Sequence, residues 1–192
     1  MSIFLTSDEH DHHANIITYS NRKFANVDEM HEALIRNFNA KVGVDDITYH
    51  LGDVAMQEKY VQPYISRLNG THILIAGNHD LCHPANRRRK KGDTIEAATQ
   101  RYIDYGFKEV HMQLELDGFL LHHLPFSDAE DARLTEYRPK RNGDQILLCG
   151  HVHSRWKYQT GPSLMINVGC DVWDYAPVSL DELRSFISGI GY

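Results

Sequence analysis

Aspartate, asparagine and histidine gather in five short stretches of this chain: Asp8-Glu9-His10, Gly52-Asp53, Gly77-Asn78-His79-Asp80, His122-His123 and Gly150-His151-Val152-His153. Mixed imidazole and carboxylate donors suit Mn, Fe, Zn, Co or Ni better than an all-oxygen Mg or Ca site does. A carboxylate has two oxygens, so Asp53 can bridge a pair of cations. In extended chain, side chains two residues apart point the same way. On that geometry Asp8 and His10 grip one ion together. His151 and His153 face one cavity, whether they share an ion or divide between two. The chemistry these donors suggest is hydrolysis at two metals roughly 3.5–4 Å apart.

Something must bring the stretches together. Each follows a short apolar run: 2–6, 47–51, 72–76, 119–121 and 146–149. Such runs, bounded by Gly and polar residues, read as buried strands. Layered folds place sites beyond strand ends, where distant segments converge. Gly52, Gly77 and Gly150 precede donor residues and allow a sharp turn there. Asn26 opens a helix, with Glu29 placed for a capping box. Met30, Leu34 and Phe38 then recur at helical spacing until Gly43. A second helix is expected over 58–68, with Pro63 able to shift its start or kink it. A third runs from Thr94 to Tyr105 and ends at Gly106. A last one follows Pro177, capped by Ser179 and Glu182. Val110–Leu116 alternates as a strand, and Leu164–Val168 is another. Strands alternating with helices early, then mostly strands, predict a sheet sandwich flanked by helices.

At 192 residues, one domain with a substantial core is expected. The formal charge of −6 argues against a general nucleic-acid coat protein. It is counted without metal, so a loaded site can be locally positive. Cys82, Cys149 and Cys170 form neither a CxxC pattern nor a disulfide framework, which points to a reducing compartment. No apolar run is long enough to cross a membrane, and the N-terminus lacks signal-peptide features, so the cytoplasm is expected. The basic run 87–91 reads as a solvated loop. Its alternative role is to draw a phosphate-rich substrate to the cavity.

Taken in order, these motifs (D-x-H, G-D, G-N-H-[DE], a later H, G-H-x-H) resemble the calcineurin-like metallophosphoesterase superfamily. His13-Ala14-Asn15-Ile16, Tyr49–Asp53 and Asn167–Trp173 are similar to its small, single-domain bacterial and phage branch. The resemblance implies an α/β (α+β) fold, a four-layer α-β-β-α sandwich in one domain over 1–192, with the site at strand C-terminal ends. It implies two divalent transition-metal ions, Mn foremost, with Fe, Zn, Ni or Co as alternatives. Asp8, His10, Asp53 and His153 would hold the first ion. Asp53, Asn78, His123 and His151 would hold the second. His123 rather than His122 fits the family frame, because His123-Leu124-Pro125 follows it. His79 would assist the leaving group as general acid, and Asp80 would orient it. His13, Asn15, Asn78 and Arg87 are the substrate-contact candidates. His50 would support a ligand or pack, His72, His83 and His111 read as structural or surface residues, and Trp173 would border the pocket.

The activity implied is hydrolysis of phosphodiesters, with phosphomonoesters as a weaker or parallel activity, by attack of a metal-bound hydroxide. The expected partner is a small phosphate ester, including a nucleotide or a nucleic-acid end. A nuclease of the same superfamily is the alternative. A non-catalytic scaffold ranks last, because such members tend to lose ligands or the catalytic histidine, and this chain keeps both.

Overall fold

Alternating apolar residues build two five-stranded sheets that face each other. The computed structural model describes residues 1–127 and 132–192. In the first sheet β1 (Ile3–Thr6), β2 (Ile47–His50), β3 (Thr71–Ile75) and β4 (Phe107–His111) run parallel in that order. In the second, β5 (Gln113–Leu116) pairs antiparallel with β6 (Phe119–His122). Next come β7 (Leu147–Cys149), β9 (Met165–Asn167) and the edge strand β8 (Tyr158–Gln159). β6, β7 and β9 are parallel neighbours. A last short strand, β10 (Val178–Ser179), returns to the first sheet and pairs antiparallel with β1.

Period-two alternation divides the core. Leu5, Tyr49, Ile73 and Ile75 point between the sheets, where they meet Phe119, Leu121, Leu148 and Ile166. Phe4 and Leu74 point the other way and lie under α2 (Val27–Lys41). Met30, Leu34 and Phe38 of α2 are buried there, each worth roughly 1.5–3 kcal/mol of hydrophobic stabilisation. The same outer layer takes α1 (Ala14–Tyr19), α3 (Val61–Ile65) and α4 (Ile95–Asp104). α5 (Leu180–Gly189) adds Leu183 and Ile187 to the inter-sheet core. Leu120, Leu147 and Met165, on the far face of the second sheet, are covered by Phe126 and Trp156.

The expected caps form. The Asn26 side chain accepts from Glu29 N–H, and Ser179 and Glu182 make a full capping box on α5. Two expectations need correction. The segment 58–68 is a 3-10 turn (Glu58–Tyr60) followed by the short α3, not one helix. Pro63 lacks an N–H and crowds the carbonyl four residues back, which stops a regular ladder. Val110–Leu116 is not one strand, because the chain leaves the first sheet after His111 and enters the second at Gln113. Both strands lie on sheet edges with one wet face, so the alternation runs through the crossing. α1 had no clear sequence signal; of its six residues only Ile16 is buried.

Candidate metal centre

The donor stretches all leave strands at one rim. Asp8 and His10 follow β1, Asp53 follows β2, Asn78 and His79 follow β3, His123 follows β6, and His151 and His153 follow β7. Backbone bonds stitch these loops together: Asp8 N–H to Gly52 O, His10 N–H to Asp53 O, and Gly150 N–H to His123 O, each 3.0 Å. A parallel bridge between Ser7 and Gly169 ties the rims of the two sheets.

The side chains do not converge by strand alternation. Asp8, His10, Asp53, His151 and His153 all have left-handed backbone, with φ of 59°, 48°, 57°, 71° and 50°. Glu9 and Val152 lie outside that region, so each pair converges through two kinks rather than through extended chain. Non-glycine residues in this region cost of order 1–3 kcal/mol each and persist only where the surroundings over-determine them. The glycines act partly by absence. Gly52 (φ +89°) packs against the backbone of Gly77, and a Cβ on Gly150 would strike Ser7 Oγ and the Asp8 carboxylate. Close approach, not turn geometry, is what requires Gly150.

Two groups of donor atoms result, Asp8 with His10 and His153, and Asp8 with Asp53 and His123, each within 4.8 Å. Asp53 Oδ2 lies between them, 3.5 Å from both His10 Nε2 and His123 Nε2. His123 Nδ1 donates to Leu51 O at 2.6 Å, which leaves Nε2 facing Asn78 Oδ1 at 3.0 Å. Adjacent ligands on one ion, at ~2.1 Å from it, stand about 3 Å apart. His151 donates its N–H to Asp8 Oδ2 at 2.8 Å, and its ring lies 5.4 Å from that of His123. His153 is aimed by Asp171, whose Oδ2 lies 3.0 Å from its Nδ1.

The donor set fits a cation pair. Asp8 Oδ1 and both ring nitrogens of His10 are buried without a hydrogen-bond partner, which is costly unless something positive sits among them. Burial raises the Asp8 carboxyl and drives the His10 imidazole well below its ordinary range. Burial also works against ionised Asp53, but His123, His79 and His10 prevail and hold it well below the carboxylate range. Burial likewise opposes a charge on His123, yet Asp53 and Asp8 overcome it and raise its pKa.

Residues around the centre divide clearly. His79 is 39% exposed, with its N–H held by Asp53 Oδ1 at 2.8 Å. Asp80 does not orient the His79 ring as expected. Its buried carboxylate accepts instead from Asp53 N–H at 2.9 Å and Gly77 N–H at 2.8 Å. It therefore clamps the two loops that carry Asp53 and His79. His122 turns away from the site, where its Nδ1 accepts from Leu124 N–H.

Two cavities of about 490 and 530 Å3 open on either side of His79, which lines both together with Met56. The first reaches Asn78, His151, Arg87 and Tyr137. The second reaches His13, Asn15, Tyr19 and Arg155. All the substrate-contact candidates therefore lie on the cleft. Trp173 lines neither cavity; its Nε1 donates to Asn167 O and its ring packs on Phe186. The basic run is not a uniformly solvated loop, because Arg88 and Arg89 fold back onto carbonyls of Met56, His79, Leu81 and His83.

Sequence reasoning missed Arg22. Its buried guanidinium binds the Asp8 and Glu9 carbonyls and both oxygens of Asp171, fixing the first loop and the aim of His153 together. A lone Arg outside any motif carries no such signal. It also missed a buried polar chain, in which Glu9 Oε1 meets His50 Nδ1 at 2.9 Å and His50 Nε2 meets His72 Nδ1 at 3.1 Å. Burial pushes Glu9 up to about 8 and both imidazoles down to about 3.

A third His/Asp group lies outside the cleft, where Asp11 meets His12 Nδ1 at 2.8 Å and His31 Nδ1 at 2.7 Å. Arg67 donates to His31 Nε2 at 3.1 Å, so both nitrogens of that ring are engaged. The guanidinium already supplies the positive charge, and we read this group as an ion-pair network.

Comparison with known proteins agrees with this geometry. The family model for the calcineurin-like phosphoesterase superfamily domain matches residues 1–177. An uncharacterised protein of Methanocaldococcus jannaschii is 35% identical over 96% of this chain and 90% of its own length. The gene 66 protein of Mycobacterium phage L5 is 30% identical over 97% of this chain and 94% of its own. A crystal structure of a protein of unknown function from Aquifex aeolicus shares the fold, with a TM-score of 0.67 and 23% identity. It covers 96% of this chain and 98% of that one.

Proposed function

The chain belongs to the calcineurin-like phosphoesterase superfamily, and from that premise we propose that it hydrolyses phosphodiesters at a dinuclear metal centre, with Mn(II) as the working ion. Asp8, His10, Asp53 and His153 would hold one cation; Asp53, Asn78, His123 and His151 would hold the other. When bound, the cations supply Lewis-acid charge and lower the pKa of a coordinated water.

The chain's own groups do the rest. Asp53 joins the two half-sites and holds the His79 backbone. Leu51 O and Asp171 fix the rings of His123 and His153, so their Nε2 atoms face inward. His79, exposed at the mouth, gives a proton to the departing alkoxide, a role worth typically ~10²–10⁴-fold. Asn78 lines one cavity and His13 the other, and both would steady the oxygens of a phosphoryl group held at the centre.

The observation that carries the diester reading is the two-sided cleft. A phosphorus held at the centre has room for one ester group on each side of His79. A monoester needs only one side. The test is turnover of bis(p-nitrophenyl) phosphate against p-nitrophenyl phosphate after reconstitution with Mn(II). The diester should have the higher kcat/KM. Strong monoesterase activity with no diesterase activity under any metal overturns the reading. Long polymers are disfavoured by the formal charge of −6 and by the consumption of Arg88 and Arg89 in local bonds.

A further inference from the structure

The basic run is usually one feature, but its three arginines do three different things. Arg89 bonds the carbonyls of Leu81 and His83 and shapes its own loop. Arg88 bonds Met56 O at 2.7 Å and His79 O at 2.5 Å. Arg87 has no hydrogen bond or ion pair to any described residue. Its side chain lines the cavity that also contains Asn78, His79 and His151.

Arg87 is nevertheless not adrift. Asn86, just before it, donates from Nδ2 to His79 O at 2.8 Å and to Asn78 O at 3.3 Å. Arg88, just after it, grips the same His79 carbonyl. The backbone of Arg87 is thus fastened on both sides to the loop that carries Asn78 and His79. A guanidinium with no partner among the described residues is thus tied to the loop of the metal centre, in a cleft that Leu134 and Tyr137 also line. A guanidinium fork matches the oxygens of a phosphate and gives charge-assisted bonds to them.

We infer that the Arg87 side of the cleft is a subsite for a second phosphate, so that the preferred substrates are nucleotide-like diesters carrying another phosphate beyond the ester being cleaved. The inference rests on the diesterase reading and adds the substrate class. The second phosphate comes either from a short oligonucleotide end or from a free nucleotide bearing two separate phosphates; the recognised group is the same. Of the run, Arg87 alone contacts it.

The test uses two chromogenic diesters that differ only in that group, thymidine 5'-(p-nitrophenyl phosphate) and the same compound with a 3'-phosphate. With the Mn(II)-loaded protein, the 3'-phosphate should lower KM by about tenfold. Arg87→Ala should erase that advantage, raising KM more for the 3'-phosphorylated substrate than for the unphosphorylated one, and Arg87→Lys should restore part of it. The advantage should shrink at high salt, since the contact is at an exposed site. Equal KM values in the unaltered protein, or equal effects of Arg87→Ala on both substrates, overturn the inference. Thymidine 3',5'-bisphosphate and thymidine 5'-monophosphate give a readout independent of turnover, by calorimetric titration. If neither diester is cleaved but the bisphosphate binds more tightly only when Arg87 is present, the diesterase reading fails and the subsite stands. Equal binding of the two ligands removes the subsite whatever the activity. A dinucleotide with and without a terminal phosphate then separates an oligonucleotide end from a free nucleotide.

Discussion

Two clusters in this molecule use the same residue types and begin within the same short stretch of sequence. Asp8, His10 and His153 form one, and Asp11, His12 and His31 the other. In the first, Asp8 Oδ1 and both nitrogens of His10 are buried with no hydrogen-bond partner among the described residues, and every member has left-handed backbone. In the second, Asp11 has a ring nitrogen on each oxygen, and Arg67 closes the remaining face of His31. The first is short of positive charge and the second is not. Composition does not distinguish a metal centre from an ion-pair network. Left-handed backbone does not either, since His12 shares it; buried unsatisfied donors do, because folding keeps such an arrangement only if something absent from the chain completes it.

The comparison can be broken most sharply at Asp53. Asp53→Asn should lower kcat/KM on the order of 10³-fold or more and reduce bound Mn below the two ions expected, since a neutral amide bridges cations poorly. Full metal content with near-normal turnover would remove the dinuclear reading. His79→Ala should cost ~10²–10⁴ in turnover while elemental analysis finds the metal content unchanged. An emptied centre would make His79 a ligand instead.

His123→Ala should weaken metal binding far more than His122→Ala, because only His123 faces Asp53 and Asn78. Metal titrations of the two variants decide it, and a reversed order would move the ligand to His122. Asp171→Ala frees the His153 ring without touching a metal donor. Metal affinity should fall by roughly 10–100-fold, with partial rescue by Asn. No change would mean that packing alone aims His153.

The smallest effect on the centre should come from Asp11→Asn. Metal stoichiometry and turnover should stay near those of the unaltered protein, while urea unfolding reports a loss of about 1–3 kcal/mol from weakened buried pairing. A drop in bound metal in this variant would show that the two clusters are alike after all.

How much of this was visible beforehand differs by feature. The donor residues and the strands before them were legible, because strands announce themselves by short apolar runs and ligands by residue type. The helix caps at Asn26 and Ser179 were legible for the same local reason. The crossing at Met112 was hidden, because an alternating pattern records which side is buried and not which sheet is joined. Asp80 was assigned to the wrong partner, because adjacency to His79 in sequence says nothing about where its carboxylate points.

What the chain alone determined is the chemistry on offer: carboxylates, imidazoles and an amide, each placed just after a strand, with glycines where loops must touch. Only the tertiary structure decided which of these donors remain unpaired, since pairing depends on residues far away in sequence. Arg22 meets Asp171, and Arg67 meets His31, across separations no local pattern encodes. The same holds for the basic run, whose members differ only in which carbonyls lie within reach once the chain has folded. Sequence lists the charged groups. Folding decides which are spent on one another and which are left to meet a ligand.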